Sequence, residues 1–372
     1  MATEVEKTES TPPHRILSID ALRGFDMFWI IGGGSFFEVL LGLTGWSIAP
    51  SLTTQLEHVE WEGFRFYDLI FPMFLFLVGC VLPYSLDKHR NSPKAVYVRI
   101  LRRTLTLVLL GIVCNGLLDF QFSELRVAGV LQRIGICYGL AALICVHVGI
   151  RGQVIALVSI LLGYWAIMAW VPVPGGVAGD FTAQGNLCGY LDRNFLPGKI
   201  KKEYYGFGDN EGLLSTLPAV GTALLGSLAG AWLKSGARPW WKVIGLAAAG
   251  LSSLAIGQAW GMSFPIIKIL WTSSFVLVAG GWSLLLLSLF YMLIDVIGWR
   301  SWAFFWIVIG ANAITIYVVP RFVDFEKMAA FFLTGVSESS GNLNTLILVT
   351  GALAAKWLFL WFLYRQRIYL RL

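Results

Sequence analysis

Long apolar runs separated by short polar joints dominate this chain. Runs of roughly 20 residues, the length that carries a helix across a hydrocarbon core, fall at 20–43, 67–86, 98–118, 126–148, 152–172, 212–234, 240–259, 270–296, 302–320 and 343–364. They predict an all-α, polytopic integral-membrane helix bundle of about ten transmembrane helices, because a helix satisfies its own backbone in lipid. The stretch 322–334 is shorter and holds Asp324, Glu326 and Lys327, so it predicts a loop or an interfacial segment. Residues 1–14 are polar, include Pro12 and Pro13, and lack the apolar core of a signal peptide. They predict a flexible cytoplasmic tail ahead of a single transmembrane domain over 15–372.

Composition agrees with the pattern. A chain that is 57% hydrophobic and 13% charged has too little polar surface to clothe a soluble core. Its 16 Trp residues often fall near run ends, as interfacial belts require, so the first expected partner is the lipid bilayer. The net charge of +6 is scattered between spans, with no polar domain to form a basic groove, and no nucleic-acid partner is expected. Lys and Arg are denser in the joints on the side of the N-terminus: Lys7, Arg15 and Arg23, then Lys88, Arg90, Lys94, Arg99, Arg102 and Arg103. By the positive-inside rule both termini are expected to be cytoplasmic, with His58 and the long loop 173–211 extracytoplasmic. Cys80, Cys114, Cys137 and Cys145 lie within apolar runs and Cys188 stands alone in a loop. Without a CxxC or a His/Cys cluster, neither a disulfide framework nor a metal site is expected.

Chemistry is sought where the apolar pattern breaks. The joint after the first run brings His58, Trp61, Glu62 and Asp68 together, and an imidazole beside carboxylates can exchange protons near neutral pH. An ordinary polar loop with Trp61 as its interfacial anchor would explain the same residues. In the first run Asp20, Arg23 and Asp26 are three apart and share a face, with Ser18 as the expected N-cap. Gly32-Gly33-Gly34 predicts close packing against another backbone. Gln132 and Arg133 lie inside a run, where a guanidinium needs a ligand or an acid such as Asp20, Asp68 or Asp119. Arg99, Arg102 and Arg103 suit phosphate groups, and suit anionic lipid equally well. The loop 173–211 mixes aromatic rings with acids and ends beside Asp209 and Glu211, a composition that fits a sugar and is also common at interfaces. Asn312 and Lys356 are polar groups within spans and must find partners in the bundle.

Five stretches, in order, resemble one family: RILSIDALRGFDMF at 15–28, HVEWEGFRFYDLIFP at 58–72, GVLQRIG at 129–135, DNEGLLST at 209–216 and LWTSS at 270–274. Together they are similar to the heparan-alpha-glucosaminide N-acetyltransferase family and its bacterial relatives, from residue 15 to about residue 320. The resemblance implies a transmembrane acyltransferase that takes acetyl-CoA on the cytoplasmic side and acetylates the amino group of a glucosamine-type acceptor on the other. His58 matches the family's active-site histidine and Asp68 an aspartate that accompanies it. On this reading His58 is the base or the acetyl carrier, and Asp68 orients its ring. Trp61, Glu62, Asp209, Glu211, Lys268 and Asn312 become substrate-binding candidates. Asp20, Arg23, Arg99, Arg102, Arg103, Gln132 and Arg133 become candidates for holding acetyl-CoA. The implied setting is a bacterial inner membrane, the implied form is the compact bacterial one, and a homodimer is an assembly the analogy allows. Ile30 and Ile31 precede Gly32 where the animal enzyme has an Asn, and Ile267 stands where the family often has an Asn. The rival expectation is a permease for amino sugars or their N-acetyl forms, with the intramembrane charges along its path.

Overall fold

The computed structural model describes residues 16–87, 92–200 and 206–369. The expected flexible tail and the basic residues Lys88 and Arg90 therefore lie outside the described residues. Apolar runs become helices in this order: α1 Leu17–Phe28, α2 Gly34–Thr44, α3 Ala49–Gln55, α4 Phe66–Cys80, α5 Leu82–Asp87, α6 Pro93–Cys114, α7 Val130–His147 and α8 Ile150–Trp170. A short loop helix, α9 Leu187–Phe195, is followed by α10 Thr216–Lys234, α11 Pro239–Gly261, α12 Ser273–Tyr291, α13 Ala303–Ala311, α14 Ala313–Val318, α15 Phe325–Glu338 and α16 Asn344–Arg365.

Among the described residues, eight helical segments are long and apolar enough to cross a bilayer, or nine when α13 and α14, bent by 73°, count as one span. The remaining expected run, 98–118, is helical as α6 and long enough to span at about 1.5 Å per residue. Lys94, Arg99, Arg102 and Arg103 crowd its first half, so its composition falls short of an apolar span. The segment 322–334, expected as a loop or interfacial piece, forms α15, capped by Asp324, whose side chain accepts from Lys327 N. The long loop 173–211 is not structureless either. It contains α9, whose cap Asn186 accepts from Gly189 N at 2.7 Å.

The first span departs most from its expectation. It is two helices joined by a π turn at Trp29–Gly33, where Gly32 adopts φ 133°. That left-handed dihedral is open to glycine and strained for other residues, so Gly32 serves the bend before it serves packing. The expected cap also differs. The N–H groups of Leu17 and Ser18 donate to the Asp295 carboxylate at 3.3 and 3.1 Å, while the Ser18 hydroxyl is buried without a partner. An acid from a distant helix therefore meets the positive end of α1.

At the centre, α4 is buried along almost its whole length and packs on α10, α12, α1 and α7. Contact with α10 is backbone to backbone. A Cβ on Gly226 would lie 1.9 Å from the Phe76 carbonyl oxygen, and one on Gly79 would lie 2.0 Å from that of Ala223. Small residues at such a seam let dispersion and close carbonyl contacts replace the hydrophobic effect, which is absent between helices in lipid. Replacing Gly226 by Val should force α4 and α10 apart and destabilise the bundle by about 3 kcal/mol. Gly163→Val, at a position with nothing within 4 Å, should leave stability unchanged. Thermal unfolding of both variants in detergent checks this, and equal midpoints would contradict the seam.

Candidate functional site

One end of the bundle collects four connecting segments: the joint 56–65, the joint 115–129, the loop 171–215 and the turn 262–272. They are stitched together by backbone. Gly63 N donates to Ile266 O at 2.8 Å beside a Glu62–Ile267 bridge, Arg126 bridges Gly198, and Trp61 Nε1 donates to Phe181 O at 3.0 Å. Gly63 turns the first joint with φ 123°. The turn 262–272 is shaped by Thr272, which caps α12 and accepts from Ile267 N at 3.1 Å, and by Trp271, fully buried with its Nε1 on Thr222 Oγ1. Lys268 is thereby carried over the start of α4.

Asp68 is the hub. It stands in the first turn of α4, is 1% exposed, and accepts with Oδ2 from Arg65 N at 3.1 Å and Val59 N at 3.4 Å. Its Oδ1 lies 2.9 Å from His58 Nδ1 and 3.2 Å from Lys268 Nζ. Lys268 Nζ is also 2.9 Å from His58 Nδ1, so one imidazole nitrogen faces both a carboxylate and an amine. A ring nitrogen cannot donate to Asp68 and accept from Lys268 at once, so the proton on Lys268 decides which tautomer fits. Burial draws the Lys268 ammonium below the ordinary lysine range, opposed by Asp68 and Glu211. The Tyr67 ring lies 5.1 Å from the imidazole, whose side chain is 46% exposed.

Below this triad a cavity of about 250 Å³ descends into the bundle. His58, Lys268, Asn210 and Glu211 form its polar end, while Met27, Ile70, Phe74, Leu131 and Ile134 line it among the helices. A second cavity, of about 10 Å³ between Trp61, Asp192 and Phe207, has room for one water and is too small for a sugar or a thioester.

A second cluster props the polar end. Arg126 donates to Asp209 through Nε at 3.0 Å and Nη2 at 2.5 Å, and to Glu211 through Nη2 at 2.5 Å. Burial would lower the Arg126 pKa, but the two carboxylates outweigh it and hold it above its ordinary value. Asp192 accepts from Leu213 N at 2.9 Å and Asp209 N at 3.2 Å, and burial keeps its carboxyl above the usual range. Arg133 donates to Ser215 Oγ at 2.5 Å and Gly212 O at 3.3 Å and lies 5.0 Å from the Trp271 ring. Among the described residues it pairs with none of Asp20, Asp68 or Asp119, the acids expected for it; a hydroxyl, a carbonyl and an indole face take their place.

The structure therefore brings His58, Lys268 and Glu211 onto one cavity, with Asp68 buried behind the first two. Asp209 stands beside them on Arg126, and Trp61 and Glu62 hold the joint to its neighbours. Asn312 is elsewhere, at the bend between α13 and α14, with Nδ2 on Ile368 O at 3.0 Å. The seven candidates for the cofactor divide between the two ends. Gln132 and Arg133 belong to the His58 end, with Gln132 wedged against Gly111 and Gly129. Asp20 and Arg23 pair at 3.2 Å at the opposite end, where Arg103 lies 4.3 Å from the Tyr138 ring with its Nε unpartnered, and where Arg99 and Arg102 share its helix. Tyr67 and Arg126 are not among the site candidates that the sequence offers, although Arg126 stands out as a charge at the start of its apolar run. Aromatic and basic residues at run ends look like interfacial anchors until a fold brings a partner to them.

The model of a domain of unknown function (DUF5009) matches residues 15–123, which include the joint with His58 and Asp68. The chain is 25% identical over 83% of its length to heparan-alpha-glucosaminide N-acetyltransferase of Homo sapiens, and 23% identical over 84% to the protein of that name from Mus musculus. These matches cover 53% and 54% of those proteins, so the chain spans about half the length of the curated relatives it matches. At family level, the similarity is to an N-acetyltransferase.

Proposed function

We propose that this protein is a transmembrane acetyltransferase that moves the acetyl group of acetyl-CoA to the amino group of a hexosamine, of the glucosamine type, on the far side of a membrane. The observation that carries the reading is the His58–Asp68–Lys268 triad at the mouth of a cavity that runs between the spans. The relatives' name supplies the reaction class and the acceptor class.

An amine must lose a proton on becoming an amide. In the proposed step His58 takes that proton while the nitrogen bonds to the acetyl carbonyl carbon. The carbon–sulfur bond then breaks, and His58 returns the proton to the departing thiolate, so free CoA thiol and an N-acetyl sugar result. Asp68 holds Nδ1–H, which leaves the lone pair on Nε2. The same geometry serves a route in which Nε2 carries the acetyl group between donor and acceptor. Glu211 and Asn210, on the polar cavity wall, suit the acceptor's hydroxyls and neutral amine. At the opposite end Arg99, Arg102 and Arg103 suit the donor's phosphates, and the unpartnered Arg103 Nε is a donor in want of an acceptor. With the basic joints in the cytoplasm, His58 faces outward, in a bacterial inner membrane.

Three measurements test the reading. Purified wild type in vesicles should transfer labelled acetyl from acetyl-CoA to glucosamine, with His58→Ala reducing the rate by about 100-fold or more and Asp68→Asn by more than about 10-fold. Sugar uptake in both wild type and His58→Ala, with no label on any amino sugar, would indicate a permease instead. CoA binding should weaken by about tenfold when Arg102 and Arg103 are replaced by Ala; unchanged binding would contradict the donor site.

The third concerns pH. While protonated, Lys268 donates to Nδ1, which leaves the proton on Nε2 and no base. The rate should therefore rise as Lys268 loses its proton, at a pH below that of an ordinary lysine because burial disfavours the ammonium. Lys268→Met should move this rising limb to lower pH, measured with one acceptor throughout. A limb that does not move would remove Lys268 from the proton balance.

A further inference from the structure

Lys356 lies on α16, within a span, and is 9% exposed. Its ammonium meets no carboxylate at ion-pair distance among the described residues; instead Nζ donates to the Ile31 carbonyl at 2.8 Å. A charge held in a bilayer on one carbonyl is expensive, and a Leu at this position would pack without that penalty. What it holds is the kink. Ile31 directly precedes Gly32, and a Cβ on Gly32 would lie 3.8 Å from Nζ. The reversed dihedral widens the ladder to a π turn, and two carbonyls of this turn take side-chain donors. Ile31 O takes Lys356, and Trp29 O takes the Tyr67 hydroxyl at 3.2 Å. Tyr67 in turn sets its ring 5.1 Å from His58, and Tyr67, Met27, Ile30 and His58 all line the large cavity.

We propose that Lys356 is a positioning residue for His58: by holding the Ile31 carbonyl at the Gly32 kink it fixes the Trp29 carbonyl used by Tyr67, and so keeps the Tyr67 ring against the imidazole. Lys356 touches no reacting atom. It acts through the bend of the first span, on the wall of the cavity in which the proposed transfer takes place. A merely structural lysine would stabilise α16 against the first span without altering the imidazole's surroundings. The two roles predict different chemistry at His58.

The inference rests on the reading of His58 as the reacting group, yet its test needs no acetyl transfer. The full chain in detergent is treated with diethyl pyrocarbonate, and carbethoxylation of His58 is followed by mass spectrometry. His147, bonded to Leu143 O at the far end, serves as the internal reference. Lys356→Met and Tyr67→Phe should each change the His58-to-His147 rate ratio by about threefold or more, in the same direction, and the double variant should add little further. Lys356→Arg, which restores a cationic donor, should return the ratio toward wild type. Gly32→Ala attacks the same bend from the other side and should shift the ratio likewise, so the test survives if Lys356→Met fails to fold. A wild-type ratio in Lys356→Met or in Gly32→Ala would overturn the proposal. So would an equal shift in Ser253→Ala, which loses a buried bond to Leu277 O and reports general loosening alone. If acetyl transfer is absent from wild type while the ratio still moves as expected, the acetyltransferase reading fails and the positioning role stands.

Discussion

Asp68 is a carboxylate with almost no exposure, and an ion withdrawn from water persists only where donors replace the lost solvent. Groups from two segments do so here: Val59 N, Arg65 N and, in the tautomer that carries its proton there, His58 Nδ1 from the joint, and Lys268 from the turn before α12. Each of these segments is held elsewhere by independent bonds, such as Gly63 to Ile266 and Thr272 to Ile267. The carboxylate thus unites the loops because it must be satisfied, and the histidine is oriented as a result of that demand. Removal of Asp68 would release both a ring and a lysine from the same anchor.

Both ends of the molecule hold paired and unpaired cations: Arg23 pairs with Asp20 at one, and Arg133 keeps Nε and Nη1 without a partner at the other. At the His58 end, cations meet acids in compact pairs, with Arg126 on Asp209 and Glu211 and Lys268 on Asp68. At the other end Arg103 leans on an aromatic ring and leaves Nε free, which suits an anion brought from outside. The proposed reaction can draw on both arrangements. A donor rich in phosphate requires unspent positive charge, while an acceptor amine requires a site where one proton can be moved and charge is otherwise balanced.

Much of this was legible in the sequence because lipid imposes a simple rule on composition: apolar runs gave the bundle, the breaks in those runs pointed to His58, Asp68 and Glu211, and the family resemblance alone brought in Lys268. What remained hidden depends on geometry at a distance. The kink at Gly32 has the letters of a packing motif, and only the dihedral distinguishes the two. Ser18 has the letter of a cap, but Asp295 does the capping from some 280 residues away. An acid is expected beside Arg133, and a hydroxyl, a carbonyl and an indole face stand there instead, with Nε and Nη1 left without a partner. Gln132 and Arg133 were grouped with Arg102 and Arg103 because all four are polar groups in or beside spans. The chain's back-and-forth path puts them at opposite ends.

The bend between α13 and α14 reaches further than its length suggests. Asn312, at the bend, is tied to the carbonyl of Ile368, while Ile314 and Tyr317 just beyond it form part of the cavity wall. The backbone at Ile368 therefore braces a wall of the chamber next to His58, and a segment that follows the last span supports a site assembled mostly from the first three hundred residues. A substitution that displaces the Ile368 carbonyl would therefore be felt in the chamber through the amide at the bend, although it lies far along the chain from His58.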